Sequence, residues 1–459
     1  MRKYFGTDGI RRIANTELSP ELVYKVAKAG AYVLSKHTDH APTILIGRDT
    51  RISGSLIESA MVAGFLSYGA NVKILGVMPT PAVAYLTRRF KADASVVISA
   101  SHNTYEFNGV KYFSNKGMKI PDELEEEIEE VMDSGKIDEL TAVNDKIGVS
   151  EIRTDLLEEY IYFFRKNFEE ELERLNRDDF VVAVDTANGA TSVVADKVFT
   201  VLGIKHHIIN DSPNGININE GCGSTHLEML KQYVIDKKCN LGIAYDGDGD
   251  RCLAVDENGN EIDGDKIIAI ISQYLKSKEK LNKDTIVATV MSNLGLNKYA
   301  KQNGLTFVQT KVGDRYVLEE MLKNGYNLGG EQSGHVICLD YNPTGDGILT
   351  SLMIIKAILE QGKKASEVAS IMKAYPQVLI NAKVLSDKKY DFDKDEEIKS
   401  AIEKLNKEFD GNGRVLIRAS GTEPLVRVMI EGEDQDYIKQ KAQTIANLIE
   451  QKLGDGVKK

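Results

Sequence analysis

The chain has 459 residues, 42% hydrophobic and 28% charged, with a formal net charge of −11. This is ordinary globular composition, long enough for about three domains, give or take one. The acidic balance argues against a nucleic-acid partner or a membrane surface, and no apolar run approaches the length of a membrane span.

The four cysteines, Cys222, Cys239, Cys252 and Cys338, lack metal-site spacing and read as reduced thiols. The stretch Met1-Arg2-Lys3-Tyr4-Phe5-Gly6 carries no apolar signal region, so a cytoplasmic protein is expected.

Strand-like and helix-like runs alternate almost throughout, which predicts an α/β fold with largely parallel sheets. Gly6-Thr7-Asp8-Gly9-Ile10-Arg11 is a glycine-rich turn offering an arginine. Ser19-Pro20-Glu21 opens a helix to about Ser35, with a capping serine and proline in the first turn. Strands follow at Thr43 to Ile46, Val72 to Leu75 and Ser95 to Ile98, separated by helices from Ser53 and from Thr80-Pro81. Pro121 to Met132 is an acidic amphipathic helix that reads as a solvated face, and a long helix is expected from about Asp155 to Leu175.

The same alternation recurs around strands Phe180 to Val184 and Thr285 to Thr289. Each unit closes on a polar loop between apolar strands: Ser99 to Asn108, Asp246 to Arg251, and Gly329 to His335. This predicts three copies of one α/β module, each presenting one functional loop. Boundaries are expected near 150, at the turn Glu257-Asn258-Gly259-Asn260, and near Tyr375-Pro376. Beyond the last, the order strand, helix, strand, strand, helix suggests a smaller α+β domain.

The most informative stretch is Asp246-Gly247-Asp248-Gly249-Asp250-Arg251. In an extended loop, residues two apart project to one side, so three carboxylates converge. Such convergence is costly without a cation, and hard oxygen ligands suit Mg²⁺. A calcium loop is the rival, because Asp246, Asp248, Asp250 and Glu257 fall at four of its ligand positions. It needs glycine at the turn, however, where Arg251 stands.

Ser101, directly after a strand, is either a turn-capping serine or a phosphoryl carrier. Phosphorylated, it would offer the metal an oxygen ligand. Lys111 is either a surface lysine on a strand edge or a clamp beside a phosphoryl group. In Gly329-Gly330-Glu331-Gln332-Ser333-Gly334-His335, the adjacent carboxylate, amide and hydroxyl suit vicinal sugar hydroxyls. Arg418-Ala419-Ser420-Gly421-Thr422-Glu423-Pro424, with Arg427 beyond, has the arginines, hydroxyls and turn N–H groups of a phosphate nest.

These stretches, in this order and spanning the chain, resemble the α-D-phosphohexomutase superfamily. The resemblance implies three similar mixed α/β domains and a smaller C-terminal domain around a central cleft: 1–150, 151–257, 258–374 and 375–459. It implies phosphoserine at Ser101, and one Mg²⁺ per subunit held by Asp246, Asp248, Asp250 and the Ser101 phosphate. Glu331 and Ser333 match the sugar loop. Arg418, Ser420, Gly421, Thr422 and Arg427 match the phosphate loop. Arg11, Lys111, Arg251 and His335 match active-site residues, with Lys111 and His335 as acid/base candidates. The implied partners are a hexosamine phosphate and a second copy of the chain.

The implied reaction passes the phosphoryl group of Ser101 to O1 of glucosamine 6-phosphate. The 1,6-bisphosphate turns over, and glucosamine 1-phosphate leaves to feed UDP-N-acetylglucosamine and cell-wall precursors. Glucose or mannose phosphate as substrate, and a metal- or sugar-phosphate-binding protein without turnover, are the alternatives. The chain departs from the family's usual sequence at Arg12, Thr104 and Ala419, where glycine, proline and proline are common. None of these removes a reacting group.

Overall fold

The structure is a computed structural model that describes residues 3–6, 8–36, 38–420 and 423–454. It divides into two compact units, one of Met1–Met291 with Gly304–Ile371, the other of Ser292–Asn303 with Met372–Lys459. Among the described residues no helix is long and apolar enough to cross a membrane.

Among the described residues the first unit holds three sheets of six, five and four strands. Each contains the same four-strand arrangement: an antiparallel hairpin followed by two parallel strands. In the first sheet these are Phe107–Ser114, Ala94–Ile98, Thr43–Arg48 and Asn71–Val77. In the second they are Cys252–Asp256, Leu241–Tyr245, Val181–Asp185 and Lys205–Ile209. In the third they are Val336–Cys338, Leu328–Gly330, Thr285–Thr289 and Thr306–Thr310. The repetition read from the sequence is therefore topological as well. Each functional loop lies in the hairpin of its sheet, where the chain reverses.

The central strands are buried from end to end, as in Ala94–Ile98, Leu241–Tyr245 and Thr285–Thr289. Helices cover both faces of such sheets, so these strands read as unbroken apolar runs. Two sheets run past the expected boundaries. Ser150–Ile152 pairs with Asn71–Val77, and Glu261–Ile262 pairs with Cys252–Asp256 across the turn at 257–260.

The acidic helix, Asp122–Asp133, is more than a solvated face. Glu129 accepts the backbone N–H groups of Lys3, Tyr4 and Phe5 at 2.7, 2.6 and 2.7 Å. Glu125 meets Arg315 at 3.2 Å. The inward carboxylates therefore tie down the N-terminal segment and the helix Asp314–Asn324.

The second unit packs the helices Glu396–Phe409 and Gln435–Leu453 on an antiparallel sheet ordered Gln377–Lys383, Leu425–Gly432, Gly413–Ala419. This is the α+β order expected from the sequence. The helix Leu294–Gln302 belongs to this unit, where Asn293 bonds both the N–H and the carbonyl of Tyr375 at 2.9 Å.

Candidate active site

Ser101 takes a left-handed backbone, φ 52°. A side chain there costs about 1–3 kcal/mol unless its surroundings hold it. They do so through its carbonyl, which accepts from Arg51 Nη2 at 3.0 Å and Asn219 Nδ2 at 2.9 Å. The same two donors hold the carbonyl of Asn103 at 2.7 and 2.9 Å. Arg51 is itself buried, its Nε on Asp49 Oδ2 at 2.8 Å. With the loop fixed, Ser101 Oγ donates to Asp246 Oδ2 at 2.6 Å.

The three aspartates lie on the hairpin turn after Leu241–Tyr245, all buried, with one oxygen from each lying within 4.8 Å of the others. Asp246 Oδ1 accepts from the Arg251 backbone N–H at 3.1 Å. Asp248 Oδ2 accepts from Thr80 Oγ1 at 2.7 Å and Lys111 Nζ at 2.9 Å. Asp248 Oδ1 and Asp250 Oδ1 are buried with no hydrogen-bond partner among the described residues.

Burial pushes the Asp246 carboxyl well up, and the charges of Asp250 and Asp248 push it further. Burial acts likewise on Asp250, but Lys111, His335 and Arg251 outweigh it and hold that carboxyl well below its usual range. Orphaned carboxylate oxygens and mutual repulsion at one point fit a divalent cation with hard oxygen ligands. The calcium-loop rival loses its last ligand. Glu257 caps another segment, accepting from the Ser366 N–H at 3.0 Å.

Lys111 is not on a strand edge. Its strand lies between two neighbours, and its ammonium is buried against Asp248 at 2.9 Å, Asp8 at 3.2 Å and Asp250 at 3.9 Å. Burial works against its charge, but those three carboxylates prevail and raise its pKa. Arg11 donates to Asn103 Oδ1 at 2.9 Å and Asp8 Oδ2 at 3.1 Å. Arg251 Nε lies 4.0 Å from Asp250 Oδ1. His102, beside Ser101, has its pKa pushed down to about 4 by burial and then by Arg251 and Arg11.

Glu331, Ser333 and His335 lie on the third hairpin turn, closed by the Gly334 N–H on the Glu331 carbonyl at 3.0 Å. Glu331 Oε1 accepts from the Gly313 N–H at 3.2 Å. Ser333 is half-buried. His335 Nε2 accepts from the Gly345 N–H at 3.0 Å, which points the Nδ1 side of the ring at Asp250, 3.5 Å away. Burial opposes a charged ring, while Asp250 and Asp314 outweigh it and raise the pKa. Protonation at Nε2 would break the bond to Gly345.

One cleft of 590 Å³ gathers Arg11, His102, Asp250, Arg251, Glu331 and His335 on its wall. Ser101 and Lys111 are buried, at 1% and 2% exposure. The structure also brings forward residues that motif reading passed over. Asp8 and Asp314 share Lys119, at 2.5 and 2.7 Å. Asp8 sits in a stretch already singled out as glycine-rich. Arg51, Asn219, Lys119 and Asp314 carry no local signal.

In the second unit, Arg418 and Arg427 lie on neighbouring strands. Ser420 Oγ accepts from the Glu423 N–H at 3.3 Å, and the Ser420 carbonyl accepts from Lys389 Nζ at 3.0 Å. Gly421 and Thr422 lie outside the described residues.

Repeated α/β modules that set a buried serine against three carboxylates define a class of protein equipped to handle phosphoryl groups. The comparisons give the class its family. Successive domains match the phosphoglucomutase/phosphomannomutase family: alpha/beta/alpha domain I over 2–138, domain II over 158–259, domain III over 263–375 and the C-terminal domain over 379–448. The phosphoglucosamine mutase of Ruminiclostridium cellulolyticum is 53% identical over 453 residues, 99% of this chain and all of that protein. That of Acetivibrio thermocellus is 53% identical over 456 residues, with the same coverage. A phosphoglucomutase/phosphomannomutase family protein from Burkholderia thailandensis shares the fold, with a TM-score of 0.79, 19% identity and 97% of each chain covered. This chain belongs to the phosphoglucomutase/phosphomannomutase family.

Proposed function

We propose that the chain interconverts glucosamine 6-phosphate and glucosamine 1-phosphate through a phosphoserine at Ser101. The observation that carries the reading is the 2.6 Å hydrogen bond from Ser101 Oγ to Asp246 within the buried carboxylate cluster. The substrate comes from the relatives that are 53% identical over essentially the whole chain.

In this reading O1 of the bound sugar attacks the phosphorus on Ser101; the O1–P bond forms and the P–Oγ bond breaks. Lys111, held charged by its carboxylates, gives a proton to the departing Oγ and regains one from the attacking hydroxyl, directly or through water. Mg²⁺, one per chain, would be held by Asp246, Asp248, Asp250 and a phosphoryl oxygen, and would neutralise charge on the transferring group. Arg11 and Arg251 hold phosphoryl oxygens in the cleft, and His335 braces Asp250. Glu331 and Ser333 bind the vicinal hydroxyls. The bisphosphate then turns and returns its 6-phosphoryl group to Ser101. Arg418, Ser420, Gly421, Thr422 and Arg427 grip whichever phosphate is not reacting. The four domains supply, in order, the phosphoserine, the metal loop, the sugar loop and the phosphate grip. We take the protein to work in the cytoplasm, in keeping with four unpaired cysteines, and as a homodimer.

Intact-mass analysis tests the scheme: a phosphate adduct should map to Ser101, and Ser101→Ala should lose about 10³-fold or more in kcat. An unchanged rate in that variant would sink it. Side-by-side assays on the glucosamine, glucose and mannose 6-phosphates test the substrate.

A further inference from the structure

We infer that Asp314 reads the 2-amino group of the substrate and so separates aminosugar phosphates from neutral hexose phosphates. This rests on the function proposed above and goes beyond it. Phosphate grips and readers of vicinal hydroxyls serve every hexose phosphate alike, so discrimination needs a group that answers the substituent at C2.

Asp314 opens the helix Asp314–Asn324 and lines the same cleft as Arg11, Arg251 and Glu331. The cations of that cleft are distributed unevenly. Asp8 meets three of them, Lys119 at 2.5 Å, Arg11 at 3.1 Å and Lys111 at 3.2 Å. Among the described residues Asp314 has a share of Lys119, at 2.7 Å. Its other basic neighbour is His335, whose Nε2 lies 3.4 Å away and accepts the Gly345 N–H.

Glu331 stands next to this carboxylate, anchored to Gly313 beside Asp314, and no cation pairs with it among the described residues. Burial, and then the charge of Asp314, pushes the Glu331 carboxyl up. The wall formed by residues 314 and 331 therefore sets two carboxylates beside one lysine that Asp8 also claims. An ammonium on the sugar would supply a further positive charge and donate charge-assisted hydrogen bonds, whereas a hydroxyl would offer one neutral bond.

The test compares kcat/KM for glucosamine 6-phosphate and glucose 6-phosphate in the unmutated protein, Asp314→Asn, Asp314→Ser and Lys119→Gln. Both changes at 314 keep a polar residue in the first turn of the helix. They should lower the glucosamine-to-glucose ratio about tenfold to a hundredfold, the range for losing a hydrogen bond to a charged group. Lys119→Gln keeps the carboxylate but removes the ammonium it shares, so it should slow both substrates without lowering the ratio. An equal loss on both substrates in both 314 variants overturns the assignment. Failure of the unmutated protein to turn over glucosamine 6-phosphate, with phosphate still on Ser101, would sink the proposed substrate instead.

Discussion

Arg418 and Arg427 stand directly opposite each other on paired antiparallel strands. Like charges so placed repel, and burial and then Arg427 lower the pKa of Arg418. Glu423 Oε2, 3.7 Å from Arg427, answers part of that charge, and a phosphate in the grip proposed above would answer the rest. Arg427→Gln should leave the melting temperature unchanged or slightly higher while raising KM for the sugar phosphate about tenfold, the loss of one charge-assisted bond. A melt and a KM measurement check it. A lower melting temperature with unchanged KM would contradict it.

The aspartate cluster makes the same trade. Three buried carboxylates lie within 4.8 Å of one another, and Lys111 at 2.9 Å from Asp248 and 3.9 Å from Asp250 answers only part of their charge. Mg²⁺ should raise the melting temperature and chelator should lower it. Asp246→Asn should melt higher than the unmutated protein in chelator and lose most of the Mg²⁺-dependent shift. Thermal melts with and without Mg²⁺ read both effects, and a variant that keeps the full shift would remove Asp246 from the ligand set.

Arg51 stabilises the Ser101 loop from beneath. Its guanidinium donates to the carbonyls of Ser101, Asn103, Thr104 and Phe107 while it pairs with Asp49. Arg51→Met leaves Asp49 buried without its cation, a loss of roughly 3–5 kcal/mol. Denaturant unfolding should show that loss. Arg51→Lys should also fall short, since one ammonium cannot reproduce the planar fork.

Asp346 supplies the pH dependence. It caps the helix Gly347–Gln361 through the Leu349 N–H at 3.0 Å and accepts from Tyr160 Oη at 2.8 Å and Asn342 Nδ2 at 3.1 Å. Burial outweighs these donors and pushes its carboxyl up to about 6 from 3.8. Its contribution to stability is fully present below about 3.8 and is lost as the pH rises through about 6. The difference amounts to about 3 kcal/mol. Asp346→Asn should be less stable than the unmutated protein near pH 4, with the gap narrowing toward pH 7. Unfolding curves at both pH values check the slope, and a pH-independent gap would refute it.

The three hairpin loops are legible in the sequence because each packs short-range chemistry between apolar strands. Asp246, Asp248 and Asp250 converge through local alternation alone. The network of Asp8, Lys119 and Asp314 has no such signature. Its members are 111 and 195 residues apart and meet only once the sheets pack. The helix at 122–133 misleads for a related reason. Composition shows its acidity, but not that Glu129 turns inward to meet three backbone N–H groups.

All four cysteines are buried. Burial, then neighbouring acids, pushes the Cys222 and Cys338 thiols up to about 12. A thiol so protonated and enclosed does not react until the chain around it opens. Cys252 begins the strand that follows the aspartate turn. Its rate of alkylation is thus a built-in clock for how often that turn breathes, and a saturating sugar phosphate should slow the clock.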